Sequence, residues 1–283
     1  MWASSKIQHV EALSGAADTP GTTYLLAGSD ARDGTQILDD TEGRRADTIM
    51  VLHKAPNGNS YLVSIPRDTW VDVPGYGQAK INASYAFGGE PSLVQTVEEL
   101  TGLTVDHFVE IGMSGVVDVV DSMGGVELCL DYDVNDPKSE LVWQAGCHVA
   151  DGPTALAFAR MRYADPNGDI GRAERQRQVV SSIVKTAAKP QNALNPLRQT
   201  SMSGAAAGSV VTDPNTSALE LGMMAWHFKQ ATSAGNSGAP PIASINFETS
   251  QGSAVLLDEQ LAPQFFNKLA TGELTSEDFN ATL

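Results

Sequence analysis

Short apolar runs alternate with longer stretches of helical periodicity along most of this chain. Tyr24, Leu25, Leu26 and Ala27 form such a run, closed by Gly28, Ser29 and Asp30, and predict a buried strand that opens into a loop. Residues 47–53 and 61–65 predict two more strands, and Pro56, Asn57 and Gly58 between them have hairpin-turn chemistry. Residues 105–111 and 126–130 also read as strands, and 242–247 with 254–257 as a late pair. Leu93, Val94, Val97 and Leu100 behind Pro91 predict a helix over 91–101. An apolar helix over 114–123 ends at Gly124 and Gly125. A third helix spans 170–188, with Asp169 as its N-cap and Val179, Val180, Ile183 and Val184 as its apolar face. Residues 219–228 and 261–269 predict two more. Residues 153–158 read as a helical turn leading into a strand at Arg160. Residues 131–150 read as a loop and hairpin, and 203–218 and 232–241 as loops. Residues 1–21 form a polar lead-in helix or arm, and 22–283 a single α/β domain around a central sheet.

Composition narrows what such a domain does. Of 283 residues, 42% are hydrophobic and 18% charged, which is globular rather than disordered. The net charge of −16 argues against a sequence-independent nucleic-acid binder and against adhesion to anionic lipid through a basic face. No run of about 20 apolar residues is present to span a membrane. Cys129 and Cys147 are 18 residues apart and form no CxxC pattern. They pair if the protein is exported and are ordinary buried thiols if it is cytosolic.

Against this acidic background the ten arginines are unevenly placed. Arg160, Arg162, Arg172, Arg175 and Arg177 fall within one stretch of 18 residues. Crowded guanidinium groups repel and call for an anion, and a phosphate or pyrophosphate matches their forks. Asp30 and Arg32 follow the first strand, Arg67 and Asp68 follow the third, and Arg44, Arg45 and Asp47 lead into the second. Ligands of open α/β sheets bind at such strand ends. In a strand, Arg160 and Arg162 share one face. Asp169, Arg172 and Gln176 share one face of the helix start, where free amides favour an anion. Asp30 and Asp47 are either turn residues or ligands of a shared Mg²⁺. Lys80 is a weaker candidate, and Arg177 reads as solvated helix surface. The five histidines show no metal-ligand spacing.

At these residues the chain resembles the LytR–CpsA–Psr family of cell-envelope phosphotransferases. The matching segments are 24–32, Arg45 to Thr48, Ser64 to Asp68, Lys80 to Ala83, 106–112, 120–126, and 159–162 continuing through Asp169 to Gln176. They follow the family order over about residues 22–190. The resemblance implies a single domain of mixed α/β (α+β) class with a central mixed sheet flanked by helices. It also implies an extracytoplasmic enzyme anchored by an N-terminal membrane helix. That anchor is lacking here, which suggests a soluble ectodomain. Such enzymes move a glycopolymer from a polyprenyl-pyrophosphate carrier to a peptidoglycan or glycoprotein acceptor, with pyrophosphatase side activity. By motif, Asp30 and Asp47 are similar to Mg²⁺-side carboxylates. Arg45, Arg67, Arg160, Arg162, Arg172 and Gln176 look like pyrophosphate-binding residues, with Arg32 and Lys80 beside them. Asp169 is similar to the acidic residue in the same loop, either catalytic or an orienter of the arginines, and Asp30 or Asp169 is the expected base. The cysteine pair is similar to the disulfides of actinobacterial members. A non-catalytic polyprenyl-phosphate binder is the alternative. A transcriptional regulator fits the charge poorly.

Overall fold

A computed structural model describes residues 7–29, 46–161, 165, 168–187, 189 and 210–279. The chain divides into two compact units, one of His9–Glu110 with Val211–Leu283, the other of Met1–Gln8 with Ile111–Val210.

The first unit is built on a seven-stranded mixed sheet. Its order is β1 (Gln8–His9), β12 (Val210–Thr212), β7 (His107–Gly112), β2 (Thr22–Ser29), β3 (Ala46–Lys54), β4 (Ser60–Ile65) and β13 (Ser237–Gly238). Strand β3 runs antiparallel to both of its neighbours, β2 and β4, and β13 joins β4 in parallel. The predicted turn is present: the Ala55 amide donates to Asn59 O at 2.9 Å, and Gly58 takes φ +92°. Every residue of β4 is buried, so both sheet faces are covered. Helices α1 (Ile81–Thr101) and α5 (Ala218–Ser233) pack on the sheet strands. The predicted late pair is the hairpin of β14 (Ile242–Thr249) and β15 (Gly252–Leu257), followed by α6 (Leu261–Thr271). Residues 7–21 contain no helix, so the described part of the lead-in is an arm with one short strand.

Two elements of this unit differ from the sequence expectation. Residues 66–80 hold a hairpin of β5 (Trp70–Val73) and β6 (Gly77–Lys80). Helix α1 starts ten residues before Pro91. Gly88 and Gly89, the latter at φ +67°, break the helix, and Pro91 opens its second half where the periodicity begins.

The second unit packs α2 (Met113–Ser122), α3 (Gly152–Arg160) and α4 (Gly168–Ala187) with β8 (Val126–Leu130) and β11 (Gly146–Ala150). A small hairpin of β9 (Val134–Asp136) and β10 (Leu141–Trp143) lies between the last two strands in sequence. Val120, Leu128, Trp143, Phe158, Met161 and Val179 belong to its core. Cys147 lies directly opposite Cys129 in the antiparallel β8–β11 ladder, and the two form a disulfide.

Arg160 does not lie in a strand; it closes α3. Asp151 caps that helix by accepting the Thr154 amide at 2.9 Å, Pro153 sits in the first turn, and an alanine-rich run continues it. The predicted helical turn is therefore a full helix. Asp169 is likewise not an N-cap, because α4 already begins at Gly168.

Candidate functional site

In the first unit, one end of the sheet gathers charge. Ile49 pairs with Ile65, so two residues beyond the ladder Asp47 faces Arg67. The Arg67 Nη1 donates to Asp47 Oδ1. Arg67 Nε lies 3.7 Å from Asp68 Oδ2, and Lys80 Nζ lies 3.7 Å from Asp68 Oδ1. The four side chains keep 13–22% of their surface open to solvent, enough to reach a ligand yet shielded enough for charge to count. Backbone contacts fix the cluster. The Asn82 amide donates to Arg67 O at 3.1 Å and the Ile81 amide to Thr69 O at 2.8 Å, which ties the start of α1 to the loop after β4. The Val255 amide donates to Asp68 O at 2.9 Å from the other side.

The same unit holds a polar network that the sequence reading missed. Ser29, the last residue of β2, donates its hydroxyl to Glu110 Oε1. Tyr85 donates to Glu110 Oε2 at 2.7 Å and is 3.0 Å from Glu90 Oε1. Glu110 is 3% exposed. A glutamate set between Val109 and Ile111 was the available signal, since a buried polar group of this kind needs partners.

Asp30, Arg32 and Arg45 lie outside the described residues. Their neighbours in sequence, Ser29 and Ala46, pair at this same sheet end.

The second unit holds the arginine-rich stretch, and its members separate by environment. Arg160 is exposed at the end of α3. Arg172 is 7% exposed on α4, and Gln176 is half-buried on the same helix. Arg175 is enclosed. Its Nε donates to Phe158 O at 3.1 Å, one Nη donates to Met161 O, and the other pairs with Asp165. Arg175 thus ties α4 to the carbonyls at the end of α3, and burial pulls its pKa below the usual arginine range. Arg177 is not a solvated surface residue. Its side chain is 16% exposed, burial lowers its pKa too, and it lies 3.9 Å from Glu174. Arg162 lies outside the described residues, and of Asp169 only the backbone is described.

Among the described residues, no group of three or more His, Cys, Asp or Glu side chains is arranged around a metal position. Asp47 and Asp68 do supply hard, half-buried carboxylate oxygens within one cluster. Mg²⁺ commonly takes one or two protein carboxylates and completes its shell with water and substrate phosphate, so this donor chemistry fits it.

A profile of the LytR_cpsA_psr family matches residues 3–260. The probable cell wall biosynthesis protein LcpB of Corynebacterium glutamicum is 40% identical over 283 residues, covering 95% of this chain and 66% of that protein. The polyisoprenyl-teichoic acid–peptidoglycan teichoic acid transferase TagU of Enterococcus faecalis is 39% identical over 164 residues, covering 58% of this chain and 52% of that protein. The chain thus spans about half to two thirds of the length of these relatives. Among solved structures, the LytR-Csp2A-Psr enzyme from Actinomyces oris has the same fold, with a TM-score of 0.74 at 20% identity over 96% of this chain and 98% of that one.

Proposed function

The chain belongs to the LytR–CpsA–Psr family, and from that premise we propose that it is a Mg²⁺-dependent phosphotransferase of the cell envelope. It moves a glycopolymer from a polyprenyl-pyrophosphate carrier to a hydroxyl of peptidoglycan or a surface glycoprotein, outside the cytoplasm. Among the described residues no helix is long and apolar enough to cross a membrane, and attachment to the membrane belongs to this proposal alone. The observation that carries the reading is the strand-end cluster of Arg67, Asp47, Asp68 and Lys80. Two cations held by carboxylates form a ready phosphate cradle, because an incoming phosphate can take the place of those carboxylates at the same donors.

In the proposed reaction an acceptor oxygen bonds to the sugar-linked phosphorus. The bridging P–O bond breaks, the polyprenyl monophosphate leaves, and the acceptor proton passes to a carboxylate, Asp30 or Asp169. With water in place of the acceptor, the same step is the pyrophosphatase side activity. Arg67 turns its fork toward the pyrophosphate oxygens and Lys80 adds a point charge. By family motif, Arg32, Arg45, Arg160, Arg162, Arg172 and Gln176 are also assigned to pyrophosphate binding. Asp47 and Asp30 would hold Mg²⁺, whose charge helps neutralise the departing phosphate. Arg175 is assigned no substrate role, since all its donors are directed into the fold.

Phosphate release from a short prenyl pyrophosphate, with Mg²⁺ and with a chelator, tests this reading. Arg67→Ala and Arg162→Ala should each lower turnover by about a hundredfold or more with the fold retained. Full activity in both variants would sink the assignment.

A further inference from the structure

The β5–β6 hairpin leads away from the charged cluster and has two chemically distinct faces. Val71, Val73 and Ala79 are buried on one. Trp70, Asp72, Gln78 and Lys80 alternate onto the other, with Trp70 paired to Lys80 and Asp72 to Gln78 in the ladder. The shared face is confirmed by the indole of Trp70, which donates to Gln78 Oε1 at 3.2 Å. At the hairpin tip Tyr76 stacks on Phe87 of α1, with ring centroids 5.0 Å apart, and its hydroxyl donates to Phe87 O at 3.0 Å. The pair is held out in solvent: Tyr76 is 56% exposed and Phe87 42%. Burial does not account for two large rings left in water and fixed in orientation by a hydrogen bond.

We propose that this face is a saccharide subsite, which seats the first sugars of the lipid-linked donor glycan beyond the pyrophosphate. The proposal rests on the phosphotransferase reading and adds a place for the part of the donor that the charged cluster does not hold. Two features select a sugar. Aromatic faces beside planar amide and carboxylate groups suit a ring that offers C–H bonds on one face and hydroxyls around its edge. A purely apolar tail would strip water from the Asp72 carboxylate and from the Gln78 amide nitrogen without replacing it. Continuity selects the donor over the acceptor. The exposed positions start at Lys80, whose ammonium sits at Asp68 in the phosphate cradle, and run through Gln78 to Tyr76 in the hairpin turn, four residues earlier and roughly 13 Å away. A glycan leaving the pyrophosphate there meets Gln78 and Trp70 before the aromatic pair.

Two probes test this with the full chain and Mg²⁺: a short-chain prenyl pyrophosphate bearing an N-acetylglucosamine disaccharide, and the same prenyl pyrophosphate without sugar. Tyr76→Ala and Gln78→Ala should raise KM for the sugar-bearing probe by about tenfold, a size typical of one lost stacking contact. KM for the sugar-free probe should not change, and Tyr76→Phe should keep the affinity for both. Equal shifts for the two probes, or none for either, would overturn the subsite. Loss confined to the rate with added peptidoglycan fragments would place the acceptor there and overturn the donor assignment. A wild-type protein that turns over both probes without preferring the sugar defeats only this inference. One that turns over neither removes the phosphotransferase reading as well.

Discussion

Arg67 and Arg175 bring the same guanidinium group to opposite uses. Arg67 keeps 18% of its side chain in solvent and leans on Asp47 and Asp68 at a sheet end. Arg175 keeps 4%, and its fork is divided between two carbonyls and Asp165. The sequence shows five crowded arginines but not which of them meets the free carbonyls at the end of α3, because that depends on how two helices dock. Crowding therefore pointed to anion chemistry while overcounting the residues available for it. The buried pair gives a stability prediction. Asp165→Ala should cost about 3–5 kcal/mol, since it strands a buried guanidinium. The double variant Asp165→Ala, Arg175→Met should lose less than Asp165→Ala alone, as urea titration would show. A double variant as unstable as the sum of the singles would mean the two side chains do not act as a pair. Gly171→Ala belongs to the same test, because its added Cβ would run into the Asp165 carboxylate.

The elements that sequence located well are those whose burial follows their own periodicity. Strands β2, β3, β4, β7 and β8 and the hairpin of β14 and β15 lie within a few residues of their predicted positions. What failed was short or polar. Strands β5 and β6 have four residues each, set among Pro74, Gly75 and Gly77, and alternate exposed polar with buried small side chains. The first half of α1 buries Asn82 and Ser84 along with Ile81 and Tyr85, so its inward face mixes polar with apolar positions and gives no clear apolar period. Polar residues are buried there because the chain is tied back to the loop after β4, a contact that local patterning does not encode. Spacing alone leaves the pairing of Cys129 with Cys147 open, and the resemblance to actinobacterial members favours it. The β8–β11 register supplies the reason, by setting the two residues opposite each other. Closing an 18-residue loop should contribute about 3 kcal/mol by restricting the unfolded chain. Reductant should lower the melting temperature of the wild-type protein, and the Cys129→Ser, Cys147→Ser double variant should start lower and ignore reductant. A double variant that melts with the oxidised wild type would show the bridge to be without effect on stability.

Across the whole molecule, the family was legible from ordered segments over about residues 22–190, and the family profile extends that to 3–260. The acid response was not legible, because it depends on burial. A buried histidine supplies an acid threshold that patterning does not show. His53 in β3 is fully buried, 3.0 Å from Thr23 Oγ1 through its Nδ1, and a Cβ on Gly21 would come within 2.6 Å of its ring. Burial lowers its pKa from 6.5 to about 4. The unfolded chain therefore binds a proton below pH 6.5 that the folded chain refuses until about pH 4. The neutral ring's contribution is complete above pH 6.5 and is lost as the pH falls toward 4, a swing of about 3 kcal/mol. Carboxylates common to both proteins cancel if His53→Asn is compared with the wild type, since asparagine keeps a polar group near Thr23 but does not titrate. Between pH 7 and pH 4 the wild type should lose about 3 kcal/mol more stability than His53→Asn in paired urea titrations. Parallel pH profiles would mean that the folded protein takes up the proton on His53 as readily as the unfolded chain does, and the buried ring would then play no part in acid unfolding.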